Sequence, residues 1–168
     1  MIKILAIDDE EDYLIAINEI LNELIPDCIV ITALSGQEGI GKAKKELPDI
    51  ILLDIKMPDM DGYEVCRLLK DDSGTKDIPI IIETGVSDFE QVLKALDLGV
   101  DAFLTKPLDA DKLVSQVNVT LRIKKALDKL SYEDKLSDEE VQLKIKKISE
   151  HSSSPIASYL SQLMKLDL

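Results

Sequence analysis

A short apolar run that ends in an aspartate and continues into a proline-containing loop constrains this chain more than any other stretch. Residues 50–62 read IILLDIKMPDMDG, and Ile50–Leu53 form a continuous apolar segment typical of a strand buried on both faces of a parallel sheet. Pro58 disfavours a helix at the residue before it, and an Asp-Gly pair marks a turn, so the chain must leave the sheet through a loop. Asp54 therefore stands at the carboxyl end of a buried strand, where open α/β sheets bind their ligands.

Strand-like runs and helical patterns alternate five times in the first part of the chain. Strands are predicted at 2–7, 28–33, 50–53, 80–82 and 102–104. Helices are predicted from Tyr13, over 35–46, 63–70 and 87–98, and from Asp109 onward. Such alternation with short connections is typical of a parallel sheet with helices on both faces. The sequence therefore predicts an α/β fold with a doubly wound, five-stranded parallel sheet, followed by a helical C-terminal extension.

The charge distribution limits the class of partner. The net charge of −13 falls entirely on residues 1–122, while 123–168 are neutral. An acidic surface repels phosphate backbones, so we expect no direct binding to nucleic acid. No apolar run is long enough to span a membrane and the N-terminus lacks a signal-peptide pattern, so we expect a cytoplasmic protein that does not bind membranes. Cys28 and Cys66 stand apart in apolar segments, which favours reduced, buried thiols over a disulfide.

The carboxyl ends of the predicted strands carry residues whose chemistry fits together. These residues are Asp8 and Asp9 after the first strand, Asp54 after the third, Thr84 after the fourth and Lys106 after the fifth. Neighbouring carboxylates repel each other unless a cation joins them, and a set of hard oxygen ligands favours Mg²⁺. A lysine and a hydroxyl can hold a phosphoryl group. Each residue alone fits an ordinary polar strand end, but together they indicate phosphoryl transfer onto a carboxylate.

At these positions the sequence resembles the receiver domain of two-component response regulators, the CheY-like family, over residues 1–122, and the resemblance implies a flavodoxin-like sheet of strand order 2-1-3-4-5. The resemblance implies that Asp54 is the phosphoacceptor, which takes a phosphoryl group from the phosphohistidine of a histidine kinase. It also implies a Mg²⁺ site formed by Asp9, Asp54 and the backbone carbonyl of Lys56, with Asp8 acting through water. Such a chain is not an enzyme in its own right, apart from transfer to its own aspartate and slow self-dephosphorylation.

The same resemblance assigns the switch residues. Thr84 and Lys106 match the family's hydroxyl and lysine positions, and Pro107 matches a proline that is usually joined to that lysine by a cis peptide bond. Phe103 falls at the aromatic switch position. On phosphorylation, Thr84 and Lys106 are expected to draw toward the phosphoryl group while Phe103 turns inward. An ordinary core aromatic at Phe103 fits the sequence equally well.

By resemblance, the output surface combines the fourth helix at 87–98, the strand at 102–104 and the fifth helix from Asp109. Its repacking is expected to control binding of a downstream protein target, an output domain or a second copy of the chain. Two positions depart from the family's pattern: Glu83 replaces an apolar or small residue, and Gly85 replaces the usual alanine. Neither change removes a functional group, but Glu83 is expected to alter the charge near this surface and the lifetime of the phosphoryl group.

The last part of the chain, 123–168, is predicted to be a helical extension or linker. The apolar stripe of the helix from Asp109 continues into it through Leu113, Val117, Leu121, Ile123, Leu127 and Leu130. That stripe fits either a dimerisation or signal-transmitting helix, or a helix that packs on its own domain. Capping patterns at Ser137 and Ser154 predict two more helices, and His151 is expected to be an exposed loop residue. The segment could link the receiver to output or kinase modules, or serve as a platform for a partner.

Two other classes of protein share parts of this pattern. Haloacid-dehalogenase-type phosphatases also use an aspartate nucleophile, Mg²⁺ and a lysine, but they need an Asp-x-Asp motif after the first strand. Here Asp8-Asp9-Glu10 lacks the second aspartate, and the chain has no room for the usual cap domain. A pseudo-receiver that acts as a constitutive scaffold has no need for an intact acceptor, hydroxyl and lysine. The sequence therefore favours a phosphorylation-switched signalling domain.

Overall fold

Five parallel strands form the centre of the chain. The computed structural model describes residues 1–85 and 96–132. The strands are β1 (Ile2–Ile7), β2 (Cys28–Ala33), β3 (Ile50–Asp54), β4 (Ile80–Thr84) and β5 (Ala102–Thr105), in the order β2-β1-β3-β4-β5. All neighbouring strands pair in parallel. The predicted doubly wound, flavodoxin-like sheet is therefore confirmed. The last three strands extend one or two residues beyond their predicted ends, into the polar residues that follow each apolar run.

The described helices are α1 (Glu11–Leu24), α2 (Gly36–Glu46), α3 (Gly62–Asp71) and α4 (Ala110–Tyr132). Ser35 caps α2, because its hydroxyl accepts a hydrogen bond of 3.3 Å from the Glu38 N–H, as the capping pattern predicts. Asp61 caps α3 in the same way and accepts a 2.9 Å hydrogen bond from the Glu64 N–H. These side chains satisfy backbone donors that a helix start would otherwise leave unpaired.

Side chains of the strands alternate between the two faces of the sheet, and helices cover both faces. On one face, Leu5, Ile7, Ile51, Leu53, Ile80 and Ile82 pack with Ala43 of α2 and Val65 and Leu69 of α3. On the other face, Ile4, Ala6, Ile50, Leu52 and Ile81 pack with Leu14 and Ile17 of α1 and Leu113 and Val117 of α4. Every residue of β3 and β4 is buried. This double burial explains why both strands read as continuous apolar runs, and it buries the polar residues at their ends.

The apolar stripe of α4 packs on its own domain over the first half of the helix. Leu113 and Val117 are fully buried and Leu121 is 5% exposed, all within the core on the α1 side of the sheet. Further along, Ile123 is 36% exposed and Leu127 is 45% exposed. Packing on the sheet therefore accounts for the stripe only as far as Leu121.

The loop between β3 and α3 folds back closely on the end of β3. The Gly62 N–H donates a 2.9 Å hydrogen bond to the Ile55 carbonyl, and a Cβ atom at Gly62 would overlap the backbone of Asp54 and Ile55. Within the loop, Ile55 and Met57 are buried, and Asp59 adopts a left-handed φ of 68°. The Asp-Gly turn thus requires glycine for its close approach, and the returning chain fixes the position of Asp54.

The chain divides into two units, with the boundary after Lys124. The second unit is described only as far as Tyr132. Three predictions accordingly fall outside the described residues: most of the helix at 87–98, the helices after Ser137 and Ser154, and the loop position of His151. Within 1–85 and 96–132, no helix has both the length and the apolar character needed to cross a membrane. Cys66 is buried and Cys28 half-buried, and both are free thiols.

Candidate functional site

Two aspartates and a lysine meet at the carboxyl rim of the sheet. Lys106 Nζ lies 2.7 Å from Asp8 Oδ2 and 2.9 Å from Asp54 Oδ1. The Glu10 carboxylate is more distant, at 4.0 Å. Asp8 directly follows β1, Asp54 ends β3 and Lys106 follows β5, so parallel pairing brings residues far apart in the chain to one place. The ammonium bridges the two carboxylates and offsets their mutual repulsion.

The backbone on both sides of Lys106 helps to position its side chain. Its N–H donates a 2.9 Å hydrogen bond to the Thr84 carbonyl, and the peptide bond between Lys106 and Pro107 is cis. The side chain is only 18% exposed. Burial alone would lower the pKa of Lys106, but the hydrogen bonds and charges of Asp54 and Asp8 raise it above its ordinary value. Lys106 is therefore cationic at neutral pH.

Asp8 is the most enclosed acid of the site. It has no exposed surface, and its Oδ1 accepts a 2.8 Å hydrogen bond from the Glu10 N–H while Oδ2 pairs with Lys106. Burial raises the pKa of Asp8 above its ordinary value, and the nearby Asp54 charge adds to the effect. Lys106 and the Glu10 N–H oppose this shift only in part. A second cation near Asp8 would therefore favour its ionised form.

The acids at this rim are of the kind that binds Mg²⁺. Asp8 and Asp54 are buried, and Asp9 is exposed next to Asp8, so the three side chains offer hard oxygen ligands. Lys56 is exposed in the loop that follows β3. Among the residues that the structure describes, no three acidic, histidine or cysteine side chains are already arranged around a metal position. The Lys106 ammonium instead lies between Asp8 and Asp54, and the residues fit Mg²⁺ in their chemistry.

Two of the predicted switch residues lie on the strands nearest Lys106. Thr84 is the last residue of β4, is 5% exposed and stands opposite Thr105 of β5. Phe103 stands opposite Ile82 and is half-buried against the core on the α2 and α3 side of the sheet. The ring of Phe103 therefore contacts the core while remaining partly exposed, and its switching role stays a prediction.

A contact between Tyr13 and Glu83 also belongs to this site, and the pattern of polar strand ends did not predict it. Tyr13, the third residue of α1, places its ring centroid 4.2 Å from Lys106 Nζ, and its hydroxyl donates a 3.1 Å hydrogen bond to Glu83 Oε1. Glu83 is 1% exposed within β4. A buried acid needs a hydrogen-bond donor. An acid in the otherwise apolar run of β4 is thus a sequence signal for a buried polar partner, although it does not identify Tyr13.

The environment of Glu83 makes its protonation sensitive to pH near neutrality. Burial raises the pKa of Glu83 from 4.5 to about 7, against the opposing hydrogen bond from Tyr13 and the charge of Lys106. The folded protein therefore holds this proton at a pH where the unfolded chain has released it. Stability consequently falls as the pH rises from the unfolded to the folded pKa, by on the order of 2 kcal/mol between about pH 5 and pH 8.

Glu83→Gln should remove this pH-dependent contribution, because the amide does not titrate. We expect the variant to gain stability over the wild type as the pH rises from about 5 to about 8, in urea unfolding with EDTA present. Glu23→Gln, at an exposed position of α1, is the matched control. If the difference between Glu83→Gln and the wild type were the same at both pH values, Glu83 would not be the titrating group.

The fold and the rim of acids and lysine together define a receiver-type α/β domain. A sequence model of the family described as "Response regulator receiver domain" matches residues 4–118. The chain belongs to this family, and the resemblance predicted from the sequence is confirmed.

Curated relatives extend beyond the segment that they share with this chain. Response regulator PleD of Caulobacter vibrioides is 43% identical over 101 residues, which cover 60% of this chain and 22% of PleD. The alkaline phosphatase synthesis transcriptional regulatory protein PhoP of Bacillus subtilis is 38% identical over 121 residues, which cover 71% of this chain and 48% of PhoP. The chain spans about half the length, or less, of curated relatives such as these.

Solved receiver structures match the fold over most of their length. A response regulator receiver domain protein from Clostridium thermocellum has a TM-score of 0.69 at 32% identity, and the match covers 76% of this chain and 99% of that one. The signal receiver domain of a signal transduction histidine kinase from Syntrophus aciditrophicus has a TM-score of 0.66 at 33% identity, with coverage of 73% and 91%. Receiver domains of this fold thus occur both in response regulators and in a kinase.

Proposed function

We propose that this chain is a phosphorylation-switched receiver of a two-component system, with Asp54 as the phosphoacceptor. The observation that carries the proposal is the bridging position of Lys106 Nζ, 2.9 Å from Asp54 and 2.7 Å from Asp8. A fixed ammonium beside the acceptor carboxylate orients it and offers a positive charge to an arriving phosphoryl group. Membership of the receiver family and the placement of Asp54 at the sheet rim support the same assignment.

In the proposed transfer, a carboxylate oxygen of Asp54 attacks the phosphorus of a phosphohistidine on the histidine kinase. An oxygen–phosphorus bond forms, giving an acyl phosphate, and the phosphorus–nitrogen bond breaks. The imidazole nitrogen keeps the electron pair and takes a proton from solvent. Lys106 and the Thr84 hydroxyl then contact oxygens of the transferred group. Slow hydrolysis of the acyl phosphate returns the chain to its resting state, so the protein is a switch rather than a turnover enzyme.

The proposed metal site uses the acids at the same rim. Asp9, Asp54 and the backbone carbonyl of Lys56 hold Mg²⁺, and Asp8 acts through water. Bound Mg²⁺ supplies positive charge to the phosphoryl oxygens during transfer. The burial of Asp8 and Asp54 at the same rim supports this assignment, because an enclosed pair of acids gains most from an added cation.

The proposed output follows from the charge added at Asp54. A phosphoryl group adds about −1.5 to −2 charges and strong acceptor oxygens, which draw Thr84 and Lys106 into a second arrangement. Phe103 turns inward, and the surface formed by the helix at 87–98, β5 and α4 repacks. A partner reads this change only through the difference between its binding free energies for the two states. Its partners are a histidine kinase upstream and a downstream protein target, an output domain or a second copy, without direct contact to nucleic acid.

We assign residues 1–122 to the receiver and 123–168 to a helical extension. The greater length of PleD and PhoP supports a linker to further modules, and the exposed Ile123 and Leu127 support a helix that dimerises or transmits a signal. A histidine kinase as partner and an acidic receiver also fit a place in the cytoplasm.

Phosphorylation by a small donor tests the proposed acceptor. With Mg²⁺ present, radiolabelled acetyl phosphate should label the wild type, with acetate as the leaving group, and Asp54→Asn should abolish the label because the amide is not a nucleophile. Asp59→Asn is the matched control, since Asp59 lies in the same loop and asparagine tolerates its left-handed backbone. That variant should label like the wild type.

Two outcomes would overturn this assignment. Full labelling of Asp54→Asn would move the nucleophile to another residue. Sustained turnover of simple phosphate esters by the wild type would favour a phosphatase of the haloacid-dehalogenase type instead.

A further inference from the structure

The Lys106 ammonium has a third neighbour besides its two aspartate partners. The ring of Tyr13 lies with its centroid 4.2 Å from Nζ, within the range of a cation–π contact. We propose that Tyr13 is a positioning residue for Lys106 and that Glu83 holds Tyr13 in place. The inference rests on the proposed function, in which Lys106 must meet the phosphoryl group on Asp54.

The Tyr13–Glu83 hydrogen bond fastens the start of α1 to β4. The residue that precedes α1, Glu10, makes no side-chain capping hydrogen bond, so the first turn lacks the anchor that α2 and α3 possess. The Tyr13 hydroxyl supplies a different anchor, because it donates to Glu83 Oε1 at 3.1 Å. The ring is thereby held at both ends, by its own helix and by the strand beside the site.

Glu83 occupies a position where a carboxylate is costly unless it is bonded. It is 1% exposed, it precedes Thr84 in β4, and it pairs in register with Asp54 of β3. The Tyr13 hydroxyl offsets part of the cost of burying this acid. A packing role alone would be met by an apolar residue, whereas an acid here specifies the orientation of the tyrosine.

The aromatic face restrains Lys106 without competing for its hydrogen bonds. In the structure Nζ points to both Asp8 and Asp54, and contact with a phosphoryl oxygen requires at least one of these bonds to exchange. A ring face attracts the ammonium through its quadrupole and accepts no strong directional hydrogen bond. It therefore keeps the ammonium at the rim while the hydrogen-bond partners change.

The test compares initial rates of labelling by acetyl phosphate across variants of this pair. Tyr13→Leu removes the aromatic face and should slow labelling about tenfold. Tyr13→Phe keeps the aromatic face but loses the hydrogen bond to Glu83, and it should slow labelling only about threefold. This conservative variant thus separates the effect of the ring from that of the hydroxyl. Glu83→Gln keeps an oxygen acceptor for the tyrosine and should lie between Tyr13→Phe and the wild type. Ile20→Ala trims a half-buried residue of the same helix, about two turns away, and controls for weakened packing of α1.

A nuclear magnetic resonance measurement reports the position of Lys106 independently of phosphorylation. The ε-methylene protons of Lys106 should show an upfield ring-current shift in the wild type and in Tyr13→Phe. Tyr13→Leu should lose that shift, and Ile20→Ala should keep it.

The outcomes separate this inference from the proposed function. A wild type that labels, together with Tyr13→Leu that labels at the same rate or keeps the Lys106 shift, overturns the positioning role alone. A fall in rate for Ile20→Ala as large as that for Tyr13→Leu also overturns it, since general loosening of α1 would then explain both. A wild type that takes no label overturns the proposed function, and with it any positioning role in phosphoryl transfer.

Discussion

Replacing Lys106 by methionine is expected to lower the free energy of unfolding by about 3–5 kcal/mol at neutral pH. The ammonium pairs with Asp8 at 2.7 Å and with Asp54 at 2.9 Å, and both carboxylates are almost fully buried. Methionine fills a similar volume but leaves the two acids next to each other without a counter-charge. Removing one partner of a buried pair costs more than the pair itself contributes, because the remaining charges stay out of water.

The loss should shrink as the pH falls. Burial already raises the pKa of Asp8, and removal of Lys106 takes away two effects that lower it. With its folded pKa above its unfolded pKa, Asp8 in the variant takes up a proton on folding, and stability recovers as the pH decreases toward the unfolded value. Urea unfolding in EDTA at neutral and mildly acidic pH measures this recovery.

Lys112→Met provides the matched control for this prediction. Lys112 pairs with Asp109 at 3.6 Å on the surface of α4, where its side chain is 69% exposed. An exposed pair of this kind contributes less than about 1 kcal/mol. Equal losses for the two variants, or a Lys106→Met deficit that is independent of pH, would show that the bridge does not compensate the buried acids.

Gly62→Ala is expected to destabilise the protein by about 3 kcal/mol, because the new methyl group would collide with backbone rather than with a flexible side chain. The added Cβ overlaps the Asp54 carbonyl oxygen and lies 2.8 Å from the Ile55 Cα atom. Relief requires the loop to move away from β3, which would also break the hydrogen bond from the Gly62 N–H to the Ile55 carbonyl. Because this loop fixes Asp54, we expect labelling by acetyl phosphate to fall as well.

The same substitution at Gly41 should have the opposite sign. Gly41 is an exposed residue within α2, and a Cβ atom there would meet no heavy atom within 4 Å. Alanine should therefore stabilise the helix by about 0.5–1 kcal/mol. Urea unfolding of both variants checks the pair, and a neutral Gly62→Ala would mean that the loop adapts without cost.

The sheet could be predicted from the sequence because its central strands are buried on both sides. Continuous apolar runs such as Ile50–Leu53 leave little choice of element, and short connections leave little choice of topology. The meeting of Asp8, Asp54 and Lys106 follows from the same logic, since parallel strands end at one rim.

Contacts between the side chains of different helices and strands could not be predicted in the same way. The bond between Tyr13 and Glu83 joins the first turn of a helix to a strand, and no spacing along the chain encodes it. The extension of β4 through Glu83 and Thr84 also escaped the sequence pattern, because polar residues at a buried strand end look like the start of a loop. The length of the packed stripe on α4 was likewise open, because its apolar periodicity continues past Leu121, where burial ends.

The hydrogen bond from the Lys106 N–H to the Thr84 carbonyl carries a mechanical implication. It joins the backbones of Thr84 and Lys106, whose hydroxyl and ammonium are the proposed contacts to the phosphoryl group. Neither residue can therefore shift far without the other. That hydrogen bond lies where β4 meets β5, and β5 is the outermost of the described strands on its side of the sheet. Among the described strands none lies beyond β5, so a displacement there disturbs fewer strand pairings than one at β3, which has a strand on each side. A phosphoryl group on Asp54, as proposed, would therefore displace the edge of the sheet at β5 more readily than its centre.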